Sequence, residues 1–182
     1  MHSKRLIGFI VAFVVLAFDQ FSKWLVTGPL GINEYGAQLH LLPFFGFTYT
    51  RNYGISGGFL HATTDTIRWA LVGMTAAIAI GVAFWITREK ERWDQVALGM
   101  VLGGALGNIL DRSRIGYVVD FADLHVSWWP RQICPMFKDG LCNPFLIFNV
   151  GDAAISIGVV ILLLRGFLLK KDERTEENEQ HA

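Results

Sequence analysis

Charged side chains lie at the ends of long apolar segments in this sequence, and their types could support acid–base chemistry. Asp19 and Lys23 end the first segment, Asp111 and Arg112 end the third, Asp152 begins the fourth, and Asp120 lies in the connection before it. Two carboxylates in a partly dry site cannot easily both ionise, so one keeps its proton while the other serves as a base. Such a pair can activate water and protonate a departing amine, as peptide hydrolysis without a covalent intermediate requires.

Each polar residue near these ends also has a purely structural explanation. Asp19 and Lys23 are spaced i, i+4 with the acid first, which is the favourable order for an ion pair on a helix. Helix ends, first-turn acids favoured by the helix dipole, and hydrogen bonds between helices explain the others. The others are Asn108, Asp111, Arg112, Asn149 and Asp152. Their joint occurrence nevertheless favours one polar cluster, if the fold brings them together.

The composition indicates which class of protein must position these residues. Of 182 residues, 52% are hydrophobic and 18% are charged, and the mean hydropathy is +0.38. The 16 basic residues balance 16 acidic ones, so the chain lacks the net positive charge that favours nucleic-acid binding. Two cysteines are too few to staple a small secreted scaffold. Because the apolar residues form long uncharged blocks, the sequence predicts a membrane protein.

Four blocks approach the roughly 20 residues that span a bilayer. The predicted spans are residues 6–26, 67–87, 95–110 and 147–169. We therefore expect an all-α polytopic membrane protein, in which residues 1–169 form a single domain of four transmembrane helices. Residues 170–182 are mostly charged and polar, which predicts a disordered, solvated tail.

Lysine and arginine residues predict the orientation of these spans. They are concentrated in the short segments that share a side with the N-terminus, so the positive-inside rule predicts that both termini are cytoplasmic. The outer ends of the first, third and fourth spans then meet at one membrane face. Asp120 lies in a connection that can reach the same place, so the polar cluster is predicted at the outer face.

The loop from Thr27 to Thr66 is long enough to carry structure of its own. Phe45, Phe47 and Tyr49 alternate with small or polar residues, which is the period of a strand. This pattern predicts a small sheet at the outer membrane surface, between the first and second spans. In the third span, Gly99, Gly103 and Gly107 recur every four residues, which predicts close packing against another helix.

Five short blocks resemble the successive conserved blocks of bacterial lipoprotein signal peptidase (signal peptidase II). They are Asp19–Lys23, Arg51–Gly54, Gly107–Arg112, Val118–Phe121 and Phe148–Asp152, in the order of that family. The resemblance implies an aspartic endopeptidase of the bacterial inner membrane, which removes the signal peptide from prolipoproteins that carry diacylglyceryl on a cysteine. It implies lipidated prolipoproteins and membrane lipids as partners, without a cofactor or a metal ion, and we expect a monomer.

Site residues are carried over from this resemblance position by position. Asp120 and Asp152 would form the catalytic dyad, near the periplasmic face. The residues that would bind substrate or support the site are Asn52, Gly54, Asn108, Asp111, Arg112 and Asn149. Asp19 and Lys23 would order the site as a structural ion pair, and the extended segment from Phe45 to Tyr49 would be the family's periplasmic cradle.

Two departures from the family pattern stand out. Gly151 replaces the usual alanine, a small-for-small change that should be tolerated. The segment Trp128–Pro144 is longer than the family leads us to expect, and it contains Cys134 and Cys142. A disulfide between these cysteines is the prediction, because the segment would lie outside the membrane. Two free thiols are the alternative, and a metal site is a weaker one.

Two other functional classes remain open on the residues alone. Residues 54–58 match the G-x-S-x-G pattern and resemble the serine motif of rhomboid proteases, with Ser56 as nucleophile. No histidine lies inside an apolar span to serve as its base, and glycines around a serine more simply serve a tight turn.

The non-enzyme alternative is a membrane scaffold, a lipid-binding module or a proton-coupled carrier. Carriers usually place polar residues near the bilayer midplane, whereas these acids collect at one interface.

Overall fold

Four helices and five strands make up the described part of the chain. The computed structural model describes residues 6–54, 65–125, 136–138, 141–143 and 147–180, with the backbone alone for 136–138, 141–143 and 169–180. The helices are α1 (Leu6–Thr27), α2 (Asp65–Arg88), α3 (Arg92–Ile115) and α4 (Val150–Gln180). The strands are β1 (Gln38–Leu42), β2 (Phe45–Asn52), β3 (Val118–Leu124), β4 (Met136–Lys138) and β5 (Leu141–Asn143).

Three of the helices are long and apolar enough to cross a membrane: α1, α2 and the part of α4 from Val150 to Leu168. Their large apolar side chains face outward, as Phe13, Ile80 and Phe167 show with more than two thirds of their surface exposed. Such a surface suits lipid, where an apolar side chain needs no protein cover. The structure thus has the four predicted helices, and three of them have the composition of a span.

Helix α3 differs because the other three helices pack around it. Its glycines make this possible. A Cβ at Gly99 or Gly103 would overlap the backbone oxygens of Gly8 and Ala12 on α1, and a Cβ at Gly104 would overlap the backbone of Gly151 on α4. The predicted glycine stripe is therefore a packing surface, and its partner is α1. Because neighbours cover α3, this helix can carry glycine and polar residues where a lipid-exposed helix carries large apolar ones.

Helix α4 continues to Gln180, beyond the predicted end of the fourth span at residue 169. Residues 170–180, for which the sequence predicts a disordered tail, belong to α4. Lysine, glutamate, arginine and glutamine all have high helix propensity, and neither glycine nor proline interrupts this segment. The charges that indicated a solvated segment are therefore compatible with a solvated helix.

The sheet is larger than the predicted one and is not confined to the loop between the first two helices. Its strand order is β1-β2-β3, and both neighbouring pairs are antiparallel. Strand β3 follows α3, in a segment that we expected to be a connection. Its residues are buried on both faces, so the sequence shows no alternation there. A separate pair, β4 and β5, lies within the segment 128–144. The predicted helices and small antiparallel sheet are thus present, and the sheet also includes a strand from the segment after α3.

Packing against the end of α1 fixes the position of the sheet. Val26 on α1 lies in one buried cluster with Tyr49 of β2 and with Val119 and Phe121 of β3. The peptide before α4 also runs along β3, because the amides of Phe121 and Ala122 donate to the carbonyl of Phe148 at 3.1 and 2.7 Å. The start of α4 is thereby held beside the strand that carries Asp120.

Gly104→Ala is expected to lower the stability of the protein, because the new methyl group would overlap the backbone of α4. Overpacking of this kind costs about 1–3 kcal/mol. Gly81→Ala in α2 is the matched control, since no atom lies within 4 Å of its Cβ position. Thermal unfolding of both variants in detergent measures the difference. A Gly104→Ala protein that unfolds at the same temperature as the Gly81→Ala protein would contradict the close approach of α3 and α4.

Candidate active site

Asp120 lies in β3 with its carboxylate turned into the protein. The residue is 2% exposed, and it pairs with Thr50 across the sheet. Its two oxygens each accept a hydrogen bond from an amide side chain: Oδ1 from Asn149 Nδ2 at 2.7 Å and Oδ2 from Asn52 Nδ2 at 3.0 Å. Strand β2 and the start of α4 therefore each supply one donor to this carboxylate.

Asp152 lies in the first turn of α4, where a capping box fixes it. The backbone amide of Asp152 donates to Asn149 Oδ1 at 2.9 Å, and Asp152 Oδ2 accepts from the backbone amide of Asn149 at 3.4 Å. Reciprocal bonds of this kind satisfy free amides at a helix start. The other oxygen, Oδ1, accepts from Asn108 Nδ2 of α3 at 2.8 Å. The carboxylate is thus oriented by both helices.

Two asparagines connect the carboxylates. Asn149 Nδ2 donates to Asn108 Oδ1 at 3.2 Å as well as to Asp120, and Asn108 in turn donates to Asp152. A chain of amides therefore runs from one acid to the other, and Asn149 is completely buried within it. Burial, and secondarily the charge of Asp152, raises the pKa of Asp120 to about 7. Burial and a neighbouring negative charge both favour the protonated form of the Asp120 carboxyl.

A buried ion triad lies beside the pair. Lys23 Nζ is 2.7 Å from Asp19 Oδ2 and 2.8 Å from Asp111 Oδ2, and all three side chains are less than a tenth exposed. The structure places Asp19 and Lys23 together and adds Asp111 as a second partner of the lysine. Gln20 completes the cluster, because its Nε2 donates to Asp111 Oδ1 at 3.0 Å and to Asp19 Oδ2 at 3.2 Å.

The ion triad holds the backbone next to each acid. Asp19 Oδ1 accepts from the amide of Gly151 at 2.9 Å, immediately before Asp152. Asp111 Oδ2 accepts from the amide of Val119 at 3.2 Å, immediately before Asp120. The triad thus ties α1 and α3 to both segments that carry the pair. It also explains Gly107, since a Cβ there would overlap the Asp19 carboxylate.

Arg112 and Gly54 meet on another side of the site. Arg112 donates to the carbonyl of Gly54 at 3.0 Å, and the amide of Gly54 donates to Asn52 Oδ1 at 3.1 Å. Asn52 is thereby oriented so that its Nδ2 faces Asp120. Arg68 of α2 donates to the backbone carbonyl of Arg112 at 2.8 Å, so it attaches α2 to the last turn of α3.

Gln20 and Arg68 are supporting residues that the sequence did not indicate. Gln20 lies inside a quoted block, and its only signal was its place beside Asp19. Arg68 lies at the start of an apolar segment, where a single cation usually indicates a helix end. The sequence therefore did not indicate its hydrogen bonds to α3.

Gly151 and the two cysteines are the departures from the family pattern that the sequence shows. A Cβ at Gly151 would lie 3.0 Å from the carbonyl oxygen of Gly104 and 3.2 Å from Asp19 Oδ1, so glycine here allows α3 and α4 to approach closely. Cys134, Ser56 and the side chain of Cys142 lie outside the described residues. The disulfide and the position of the serine stay predictions.

Comparison with known proteins identifies the family. A family model described as signal peptidase (SPase) II matches residues 11–168. The chain belongs to the signal peptidase II family. A lipoprotein signal peptidase from Rhizorhabdus wittichii is 49% identical over 174 residues, covering 96% of this chain and 93% of the relative. One from Sphingopyxis alaskensis is 49% identical over 162 residues, covering 89% and 86%. The predictions of the signal peptidase II family and of a peptidase are thus confirmed.

Solved structures agree with the family assignment. A bacterial membrane enzyme solved by the in meso method at 2.3 Å resolution is similar to this signal peptidase, with a TM-score of 0.71 and 26% identity. The match covers 92% of this chain and 90% of the solved chain. A second such structure, at 1.9 Å resolution, has a TM-score of 0.67 and covers 87% and 90%. The arrangement of helices and sheet therefore recurs in membrane enzymes.

Proposed function

We propose that this signal peptidase removes the signal peptide from diacylglyceryl-modified prolipoproteins, with Asp120 and Asp152 activating the attacking water. The observation that carries the proposal is the pair of carboxylates from β3 and α4, connected through Asn149 and Asn108. Family membership supports the substrate class, because the relatives are named lipoprotein signal peptidases.

In the proposed reaction, the ionised carboxylate removes a proton from water as the water oxygen attacks the scissile carbonyl carbon. The protonated carboxyl gives its proton to the carbonyl oxygen, which forms a tetrahedral diol. This intermediate then collapses as the carbon–nitrogen bond breaks: the carboxyl that took the proton from water gives it to the leaving amine, and the other carboxylate takes a proton from a diol hydroxyl. The pair regains its single shared proton, so no covalent intermediate is needed. The two acids titrate as a unit, and the raised pKa of Asp120 helps the pair to keep one proton.

The asparagines and the ion triad have positioning roles in this proposal. The amide donors of Asn52, Asn108 and Asn149 hold the carboxylate oxygens in place before substrate arrives. Preorganised donors of this kind reduce the reorganisation that a reaction would otherwise need. The triad of Asp19, Lys23 and Asp111 fixes the backbone beside each acid.

We place this site near the periplasmic face of the bacterial inner membrane. It lies where α1 and α3 end and α4 begins, which are ends of the same side in a four-span topology with both termini in the cytoplasm. In this topology helix α3 also crosses the membrane, as the third span, and the other helices cover it. A cleavage site at this depth suits a substrate whose signal helix and acyl chains remain in lipid. We propose a monomer, because one chain supplies every group described in the site.

Cleavage of a diacylglyceryl-modified precursor peptide by the purified chain in detergent tests the function. We expect release of the signal peptide and no enzyme adduct in the intact mass during turnover. Ser56→Ala should keep its kcat/KM within about twofold, since water is the nucleophile. An adduct on Ser56 would indicate a serine mechanism. Precursor that is bound but left intact would indicate a binding module.

A further inference from the structure

A second buried polar cluster lies on the sheet, away from the pair of acids. Thr48 of β2 donates to Asp123 Oδ2 at 2.7 Å, and His125 Nδ1 lies 3.5 Å from Asp123 Oδ1. All three residues are at least nine-tenths buried. The proposed peptidase reaction uses none of them, so their burial requires another explanation.

His125 has one ring nitrogen with a neighbour and one without. Nδ1 lies 3.5 Å from Asp123 Oδ1, so a proton on Nδ1 would face this carboxylate and would leave the lone pair on Nε2. Nε2 is buried and has no hydrogen-bond partner in the described part of the chain. A buried acceptor without a donor is costly, and a bound cation can satisfy it. A carboxylate behind a histidine is also the usual support of a metal-binding imidazole.

The imidazole ring of His40 lies next to the ring of His125. It is an exposed residue of β1, and its ring centroid is 5.8 Å from that of His125. Gly46 pairs with His40 across the two strands, and its Cβ position lies 3.6 Å from Cε1 of His125, so the His125 ring lies beside this strand pair. Two imidazoles that bind one metal ion at about 2.0–2.1 Å have centroids roughly 5–6 Å apart, so this separation fits a shared ion.

We propose that His40 and His125 form a binding site for a divalent transition metal ion that prefers imidazole ligands, such as Zn²⁺. Asp123 orients His125 through Nδ1, and Nε2 supplies the lone pair. No group of three or more histidine, cysteine, aspartate and glutamate side chains suited to a metal occurs within the described ranges. The proposed site has two protein ligands, and water would complete the coordination of the ion.

Such an ion would connect the two edges of the sheet. His40 lies on β1, and His125 directly follows β3, so a shared ion bridges both strands across β2. Strand β1 is an edge strand whose residues are all exposed, and the bridge would restrain it. Asp120 lies on β3, and the ion would therefore stabilise the sheet that carries one of the two acids. This role is separate from the proposed chemistry.

Zinc binding to the metal-free full-length protein in detergent tests the proposal. Isothermal titration with Zn²⁺ should show one site per chain, and His40→Gln and His125→Gln should each weaken the affinity at least about tenfold. His181→Gln is the matched control and should leave the affinity unchanged. Zinc should also raise the unfolding temperature of the parent and not that of His40→Gln. His40→Gln replaces an exposed side chain, so a folding defect does not obscure the result.

Unchanged zinc affinity in His40→Gln and His125→Gln would overturn the proposal. So would an affinity that falls only when Cys134 and Cys142 are replaced by serine. Co²⁺ in place of Zn²⁺ provides an independent readout, because thiolate ligands give a charge-transfer absorption that imidazole and water do not. We expect Co²⁺ to bind without this absorption, and its appearance would assign the ion to the cysteines instead.

Discussion

Asp120→Asn and Asp152→Asn are each expected to lower kcat by on the order of 10²–10⁴-fold, because an amide cannot exchange a proton with water or with the leaving amine. The double variant should lose little more than either single variant, since groups that act as a unit are not additive. Cleavage of a lipidated precursor, followed by mass spectrometry of the released peptide, measures the loss.

The control for this experiment is Asp94→Asn. Asp94 is a partly buried acid at the opposite end of α3, where it pairs with Arg165. Its replacement should leave kcat unchanged, and unfolding temperatures should show that all variants remain folded. The amide variants carry a structural cost of their own, because both oxygens of Asp120 accept from amide donors. Turnover near the parent rate in either folded variant would contradict the assignment of Asp120 and Asp152 as the catalytic pair.

Removal of the acyl chains from the precursor is expected to lower kcat/KM on the order of 100-fold. Each buried CH₂ contributes about 0.8 kcal/mol, so binding of only four more methylene groups accounts for this factor. Large apolar side chains near the C-terminal end of α1 provide a surface for such chains, since Phe18, Phe21 and Trp24 are all more than half exposed.

The matched substrates share one peptide sequence and differ only at the cysteine, which carries either diacylglyceryl or S-methyl. The S-methyl control keeps the thioether and removes the chains. Equal kcat/KM for the two substrates would show that the enzyme recognises the peptide and not the acyl chains. The proposal of diacylglyceryl-modified prolipoproteins as the substrate class would then have to be revised.

The helices could be predicted from the sequence because lipid imposes a simple requirement on them. Long uncharged blocks identified α1, α2 and most of α4, and the glycine spacing identified the packing face of α3. The bounds were less certain at polar ends, where α3 begins at Arg92 and ends at Ile115 instead of covering 95–110. Helical hydrogen bonds can continue into interfacial and aqueous residues, so hydropathy does not mark where a helix stops.

Strand β3 shows what the sequence could not reveal. Its residues Val118–Leu124 lack alternation because both faces are buried, and its partner β2 lies more than 60 residues earlier in the chain. Pairing at such a distance leaves no local signal. The consequence is functional, because the strand aligns Asp120 with the amide of Asn52.

The sequence could predict which residues belong to the candidate site. It could not predict which of them contact each other. Topology predicted that Asp19, Asp111 and Asp152 lie near one membrane face. It could not predict that Lys23 bridges two carboxylates, or that Asn149 both caps α4 and donates to Asp120. These contacts depend on how each helix is rotated about its axis, which the glycine contacts of α3 determine.

The dependence of kcat/KM on pH tests most directly whether the two acids share one proton during catalysis. Burial and the neighbouring Asp152 raise the pKa of Asp120 to about 7. Activity should therefore fall as the pH rises through about 7, because the proton donor is lost, and it should also fall at acidic pH, because the base becomes protonated. We predict a bell-shaped profile for the parent protein, with the alkaline limb at about pH 7. A rate that rises with pH to an alkaline plateau would contradict a proton-sharing pair of aspartates.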